Sequence, residues 1–118
     1  MKKKVAELFA SDWIAAWNSH NLDAILALYD DDFEMVSPVI VRIASEPSGK
    51  LRGKAAVGAY WRKALDASPH LKFILLGVFA GVESVVIHYH GHRGEAAEVF
   101  RIGENGKIVS SAAHYQSL

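Results

Sequence analysis

The chain has 118 residues, of which 51% are apolar, so it is expected to form one compact domain over residues 1–118 with a substantial core. Thirteen basic and thirteen acidic side chains cancel to a formal charge of zero and are spread along the sequence, which excludes the basic stripe that nucleic acid or an anionic membrane surface requires. With no cysteine there is no disulfide framework, thiolate nucleophile or thiolate metal site, and with no long apolar run neither signal peptide nor membrane span is expected, leaving the cytoplasm as the default location.

From Val5 to His20 the large apolar residues Val5, Phe9, Trp13 and Trp17 recur at every fourth position, with Leu8, Ala16 and His20 beside them. This spacing predicts a long helix with one broad aromatic side. HNLDAILALYDDD predicts a second, shorter helix: Asn21 is an N-cap, Asp23 lies in the first turn, and Leu22, Ile25, Leu26 and Tyr29 share a face. Asp30, Asp31 and Asp32 would oppose the helix dipole, so the helix is expected to end there in a solvated exit rather than a cation site. FEMVSPVIVRI is β-branched and aromatic and predicts extended chain, broken or bulged at Pro38.

Ala44 to Arg52, with Ser45, Pro47, Ser48 and Gly49, predicts a surface loop. After Gly53, the positions of Val57, Tyr60, Trp61 and Leu65 predict a third helix that Pro69 keeps from running on. The remainder reads as four strands, HLKFILLGVFAG, SVVIHYHGH, EAAEVFRIG and GKIVSSAAHYQSL, separated by glycine-containing turns, with Asn105-Gly106 as a hairpin signal. Helices followed by strands predict an α+β domain, a curved antiparallel sheet covered on one face by three N-terminal helices.

The order of WIAAWNSHNLDAILALYDDDFEMVSP, LRGKAAVGAYWRKAL and EVFRIGENGKIVSSAAHY resembles the nuclear transport factor 2-like superfamily, specifically its SnoaL-like and ketosteroid isomerase-like members. The resemblance spans nearly the whole chain and implies a cone-shaped sheet whose concave face the helices cover. That fold hosts isomerases, cyclases, hydrolases, binding proteins and association domains, so function must be argued from the site. Ketosteroid isomerases of this kind use an oxyanion-hole tyrosine on the first helix, a general-base aspartate before the proline of the early strand, and a second acid on a later strand. Those positions correspond here to Trp13, Ser37 and Glu98. Neutral serine cannot hold the transferred proton and an indole accepts none, so standard ketosteroid isomerase chemistry is not expected.

Glu98 shares an alternating face with Phe100 and Ile102, which would aim its carboxyl into an apolar space, where desolvation raises its pKa. That suits a general acid, a proton shuttle or an anchor for a polar ligand group; pairing with a nearby Arg or His is the structural alternative. The family's packing implies that Trp13, Trp17, Tyr29, Met35, Tyr60, Phe73, Phe100 and Tyr115 line the cone, with Tyr60, Tyr115 and Trp13 orienting a ligand. Such walls suit an apolar, flat or cyclic molecule.

SVVIHYHGHRG holds three of the six histidines, at alternate positions. An H-x-H pair can converge on a metal, with His114 or Glu98 as a further ligand, although three ligands from one strand strain the geometry. Against this, alternation gives Val85, Ile87 and Tyr89 the better claim to the core, so no metal is assigned. His88, His90, His92 and His114 are then expected on the outer sheet face, where members of the resembled family commonly pair as homodimers. Protonation in mild acid would load like charges onto that interface.

GKLRGK lacks phosphate-loop spacing, and no G-x-S-x-G nucleophile elbow occurs. Two expectations therefore remain in competition. One is a binder or enzyme of isomerase, cyclase or lyase type that acts on a cyclic apolar metabolite through Glu98 with no cofactor. The other is a non-catalytic dimerisation or association module.

Overall fold

The structure, a computed structural model, describes residues 1–118. In chain order the elements are α1 (Lys3–Asn18), α2 (Leu22–Leu26), β1 (Tyr29–Val36), α3 (Pro38–Ile43), β2 (Lys50–Arg52), α4 (Gly53–Ala67), β3 (Ile74–Gly81), β4 (Ser84–Gly91), β5 (Gly94–Ile102) and β6 (Ile108–Tyr115). One six-stranded sheet has the order β2-β1-β6-β5-β4-β3. The four C-terminal strands form the expected antiparallel meander. The sheet as a whole is mixed, however, because β1 joins β6 in parallel, which the long excursion through α3, β2, α4 and β3 to β5 permits.

Helix α1 packs through Ala6, Ala10, Trp13 and Trp17, while Val5 and Leu8 stay 51% and 60% exposed. The buried stripe thus keeps the two tryptophans but runs through the alanines instead of Val5 and Leu8; small side chains let the helix backbone approach the sheet. The end of α1 is tied to the start of β3: Asn18 Nδ2 donates to Phe73 O at 3.0 Å and Phe73 N donates to Asn18 Oδ1 at 2.7 Å. On α4, Val57, Gly58, Trp61 and Leu65 are buried. A methyl group at Gly58 would lie 3.3 Å from Leu26, so glycine there sets how closely α2 and α4 approach.

Two segments differ from the sequence expectation. Helix α2 is capped by Asn21, whose side chain accepts from Ala24 N, but it ends at Leu26, and Tyr29 with Asp30 to Asp32 belongs to β1. Strand β1 buries Tyr29, Phe33 and Met35; alternation holds from Phe33 onward, and an irregularity in the β1–β6 register between Tyr29 and Glu34 accompanies the exposure of Asp31 and Asp32. The stretch after Pro38 is the short helix α3, so four helices precede the meander rather than three. Ser37 Oγ accepts the Val39 N–H at 3.1 Å, and Pro38 occupies the first turn, where its fixed φ favours a helix. Cap, proline and the burial of Val39 and Ile40 together override the β preference of valine and isoleucine. The expected loop contains the short strand β2, paired antiparallel with β1. At Asn105-Gly106 only the glycine has positive φ, at 78°.

The core is aromatic. Trp13 stacks on Phe73 at 5.5 Å and meets Tyr89 and Phe100 edge-on at 5.1 and 5.2 Å, while Trp61 meets Trp17 at 5.1 Å and Tyr29 at 5.0 Å. These contacts hold α1 and α4 over the inner face of the sheet. No helix is long and apolar enough to cross a membrane.

Candidate ligand-binding site

A cavity of about 210 Å³ lies between the sheet's inner face and the helices. Trp13 and Trp17 from α1, Met35 from β1, Val39 and Ile43 from α3, and Tyr60, Trp61 and Ala64 from α4 supply one side. Phe73, Tyr89, Ala96, Glu98 and Tyr115 supply the other. Ala67, Ser68, His92 and Arg93, all at least partly exposed, mark the opening. Fourteen of the twenty lining residues are hydrophobic, as small-molecule pockets require, and a few polar groups converge among them.

Period-two alternation along β5 aims Ala96, Glu98 and Phe100 inward, and Glu98 is only 3% exposed. Its carboxyl has neither Arg nor His as partner: Tyr89 donates its hydroxyl to Glu98 Oε1 at 3.2 Å. Desolvation pushes the carboxyl up to about 7, and the Tyr89 hydrogen bond pulls it down only in part. The group is therefore poised between acid and base near neutrality. The surrounding phenols are not. Burial, reinforced by the Glu98 charge, drives Tyr89 far above the ordinary tyrosine range and also raises Tyr115. Tyr60 is pushed up to about 12, by burial first and the Tyr115 charge second. All three are hydrogen-bond donors, not bases, at neutral pH.

Of the aromatic and apolar residues expected around the cone, Trp13, Trp17, Met35, Tyr60, Phe73 and Tyr115 border this cavity; Tyr29 and Phe100 do not. Those two are 1% and 0% exposed and form the layer behind it, because β1 turns Tyr29 beneath Trp13 and Phe100 packs against Phe9 and Trp13. The Tyr29 hydroxyl accepts the Trp13 Nε1–H at 2.9 Å. Trp13 therefore has no free donor to orient a ligand, whereas Trp17 Nε1 is buried without a hydrogen-bond partner. Ser37, at the position of the isomerase base, caps α3. The sequence assigns Trp61 to a helix face and Tyr89 to the core, and both also line the cavity, as does Arg93, which it did not single out. Alternation through Val85, Ile87 and Tyr89 carried the signal for Tyr89; for Arg93, at a turn, no periodicity exists to read.

Val85, Ile87 and Tyr89 are buried, and His88 and His90 point outward. His88 Nε2 lies 2.9 Å from Glu95 Oε1, and the ladder places His88, Ala97 and His114 side by side. His92 is not on that face: β4 ends at Gly91, and the turn carries His92 to the cavity opening. Glu98 points to the opposite side of the sheet from His88 and His114, and no three His, Asp or Glu side chains gather as a metal-binding group.

The SnoaL-like domain family model matches residues 10–111. A SnoaL-like protein of unknown function from Burkholderia thailandensis is 53% identical, covers 98% of each chain and superposes with a TM-score of 0.95. A Methylobium petroleophilum protein of cystatin-like fold is 16% identical over 100% of this chain and 80% of its own, with a TM-score of 0.76. A ketosteroid isomerase-like fold from Catenulispora acidiphila, solved with trimethylamine, is 20% identical over 89% of this chain and 82% of its own, with a TM-score of 0.66. The last two show likeness of fold. No curated protein matches.

Proposed function

The chain belongs to the SnoaL-like domain family, and from that membership together with its cavity we propose that it binds a small cyclic, largely apolar molecule and moves a proton on it through Glu98. The observation that carries this reading is a lone carboxyl, poised near pH 7, in the wall of an otherwise aromatic cavity. An engineered apolar cavity of about 150 Å³ accepts benzene, so about 210 Å³ suits a single substituted ring better than a fused four-ring steroid.

In the proposed step the Glu98 carboxylate takes a proton from the carbon beside a ring carbonyl. The electron pair of that C–H bond moves toward the carbonyl oxygen, giving an enolate, and the carboxylic acid so formed returns the proton to another carbon of the conjugated system. The result is an isomerisation with no redox change, and the neutral hydroxyls of Tyr60 and Tyr115 serve as donors that orient the ligand. The test uses 3-cyclohexenone in D₂O, followed by NMR for conversion to the conjugated isomer and for deuterium uptake. The native protein should accelerate both, and Glu98→Gln should reduce the rate by about a hundredfold or more. Equal rates for the two proteins, or no acceleration by the native one, would overturn the proton-transfer role.

A second reading concerns the outer sheet face. The ladder aligns Phe79, Val86, Val99 and Ala112 in an apolar row, beside the row of His88, Ala97 and His114. Phe79 is 61% exposed. We propose that a second copy of the chain covers this face. His88, His90 and His114 share that face with Glu95 and Arg101. Sedimentation should give the mass of a dimer; a monomer would reject the interface.

A further inference from the structure

The opening of the cavity carries a cation that nothing in the protein neutralises. The ion pairs of the structure are Lys54–Asp31, Arg62–Asp66 and His88–Glu95. Arg93 belongs to none of them, yet it is partly buried and lines the cavity. Its nearest neighbour in sequence with a carboxylate, Glu95, is turned to the outer face and engaged by His88. Glu98, the one carboxyl inside, owes its position on the pH scale to burial and Tyr89, with no contribution from Arg93. The guanidinium does act on Tyr60 and Tyr115, whose pKa values it pulls partway back down, and Glu98 acts on the same two phenols from the other side. Glu98 thus lies in the buried wall, Arg93 stands at the partly exposed opening, and Tyr60 and Tyr115 are within electrostatic reach of both.

The turn that presents Arg93 is fixed from below. Gly91 pairs with Gly94 across the β4–β5 hairpin, and Gly94 holds φ at 85°, where a side chain would be strained. A methyl group at Gly91 would stand 2.9 Å from the Tyr89 ring and 3.2 Å from the Phe73 ring. Bare backbone thus lies directly on the aromatic wall, and the two residues between these glycines, His92 and Arg93, sit over the opening. A guanidinium held there offers the planar donor fork that pairs with a carboxylate.

We infer that the ligand is an acid: a ring that enters the aromatic cavity, bearing a carboxylate on a short chain that Arg93 holds at the opening. This inference rests on the pocket reading above and assigns the ligand's class. The carboxylate would neutralise the free guanidinium while staying apart from Glu98, so it would not repel the carboxyl that handles the proton. It would also fix which end of the molecule enters first.

The test compares phenylacetate, 3-phenylpropanoate and 4-phenylbutanoate with their amides, which match them in shape and lack the charge. Binding is followed by tryptophan fluorescence and calorimetry, in the native protein, Arg93→Gln and Arg93→Lys. The best carboxylate should bind about tenfold more tightly than its amide, the scale of one charge-assisted contact that is partly open to water. Arg93→Gln should abolish that preference, with the larger loss falling on the acid, and Arg93→Lys should keep part of it. Equal binding of acids and amides by the native protein, or a preference that survives in Arg93→Gln, would overturn the assignment. Failure of both series to bind would instead overturn the pocket reading, and this inference with it.

Discussion

Replacing Glu98 with glutamine should change how stability depends on pH, by an amount that follows from the carboxyl's burial. In the folded protein Glu98 titrates at about 7, against an ordinary value of 4.5. Below pH 4.5 the carboxyl is protonated in both states and costs nothing extra. Between 4.5 and 7 the unfolded chain ionises while the folded protein keeps its proton, so stability falls as pH rises, and the loss is complete above 7. At about 1.4 kcal/mol for each pH unit, that interval amounts to about 3 kcal/mol. Glutamine preserves the shape and an acceptor for the Tyr89 hydroxyl but has nothing to ionise. Relative to the native protein, Glu98→Gln should therefore gain about 3 kcal/mol between pH 4 and pH 8, or about 10 °C in melting temperature for a domain of this size. Denaturant unfolding at half-unit pH steps measures it, and taking the difference between the two proteins removes the contribution of the histidines. Stability curves that run parallel from pH 4 to pH 8 would refute the buried, proton-retaining carboxyl.

Tyr89→Phe deletes the one hydrogen bond that Glu98 receives and that favours its ionised form. The Glu98 titration midpoint, followed by carboxyl ¹³C NMR, should move further up; a midpoint unchanged or lowered would show that the hydroxyl does not donate to the carboxylate. Asn18→Ala removes both bonds that tie α1 to Phe73 and should cost about 1–2 kcal/mol, with faster amide exchange at Phe73. Unaltered exchange there would mean that the stacking of Phe73 on Trp13 is sufficient to hold the strand.

What could be read from the sequence was what depends on neighbours in the chain. Alternation along β4 and β5 separates Val85, Ile87, Tyr89, Ala96, Glu98 and Phe100 from the histidines, and those residues are buried. The SnoaL-like family and its α+β fold were likewise legible, through the order of elements. The failures involve partners far away in sequence. Nothing local tells that β1 will lie parallel to β6, or that this pairing will take Tyr29 off the end of α2 and place its hydroxyl under the Trp13 indole. Valine and isoleucine after Pro38 spell strand until the Ser37 cap and the burial of Ile40 are counted. His92 looked like a third member of an alternating series, and only the end of β4 at Gly91 moves it out of that series.

These displacements bear on chemistry. An isomerase that divides its work between a base and separate oxyanion donors needs those groups at the positions of Ser37 and Trp13. Here the serine oxygen holds a helix start and the indole N–H is spent on Tyr29. Every phenol on the cavity wall is raised away from neutrality, whereas the Glu98 carboxyl is pushed up to about 7. Glu98 is then the buried cavity group placed to both take and give a proton near neutrality. A single carboxyl that receives a proton and later returns it is sufficient for the proposed shift of a double bond along a ring, because both halves of that reaction pass through the same group.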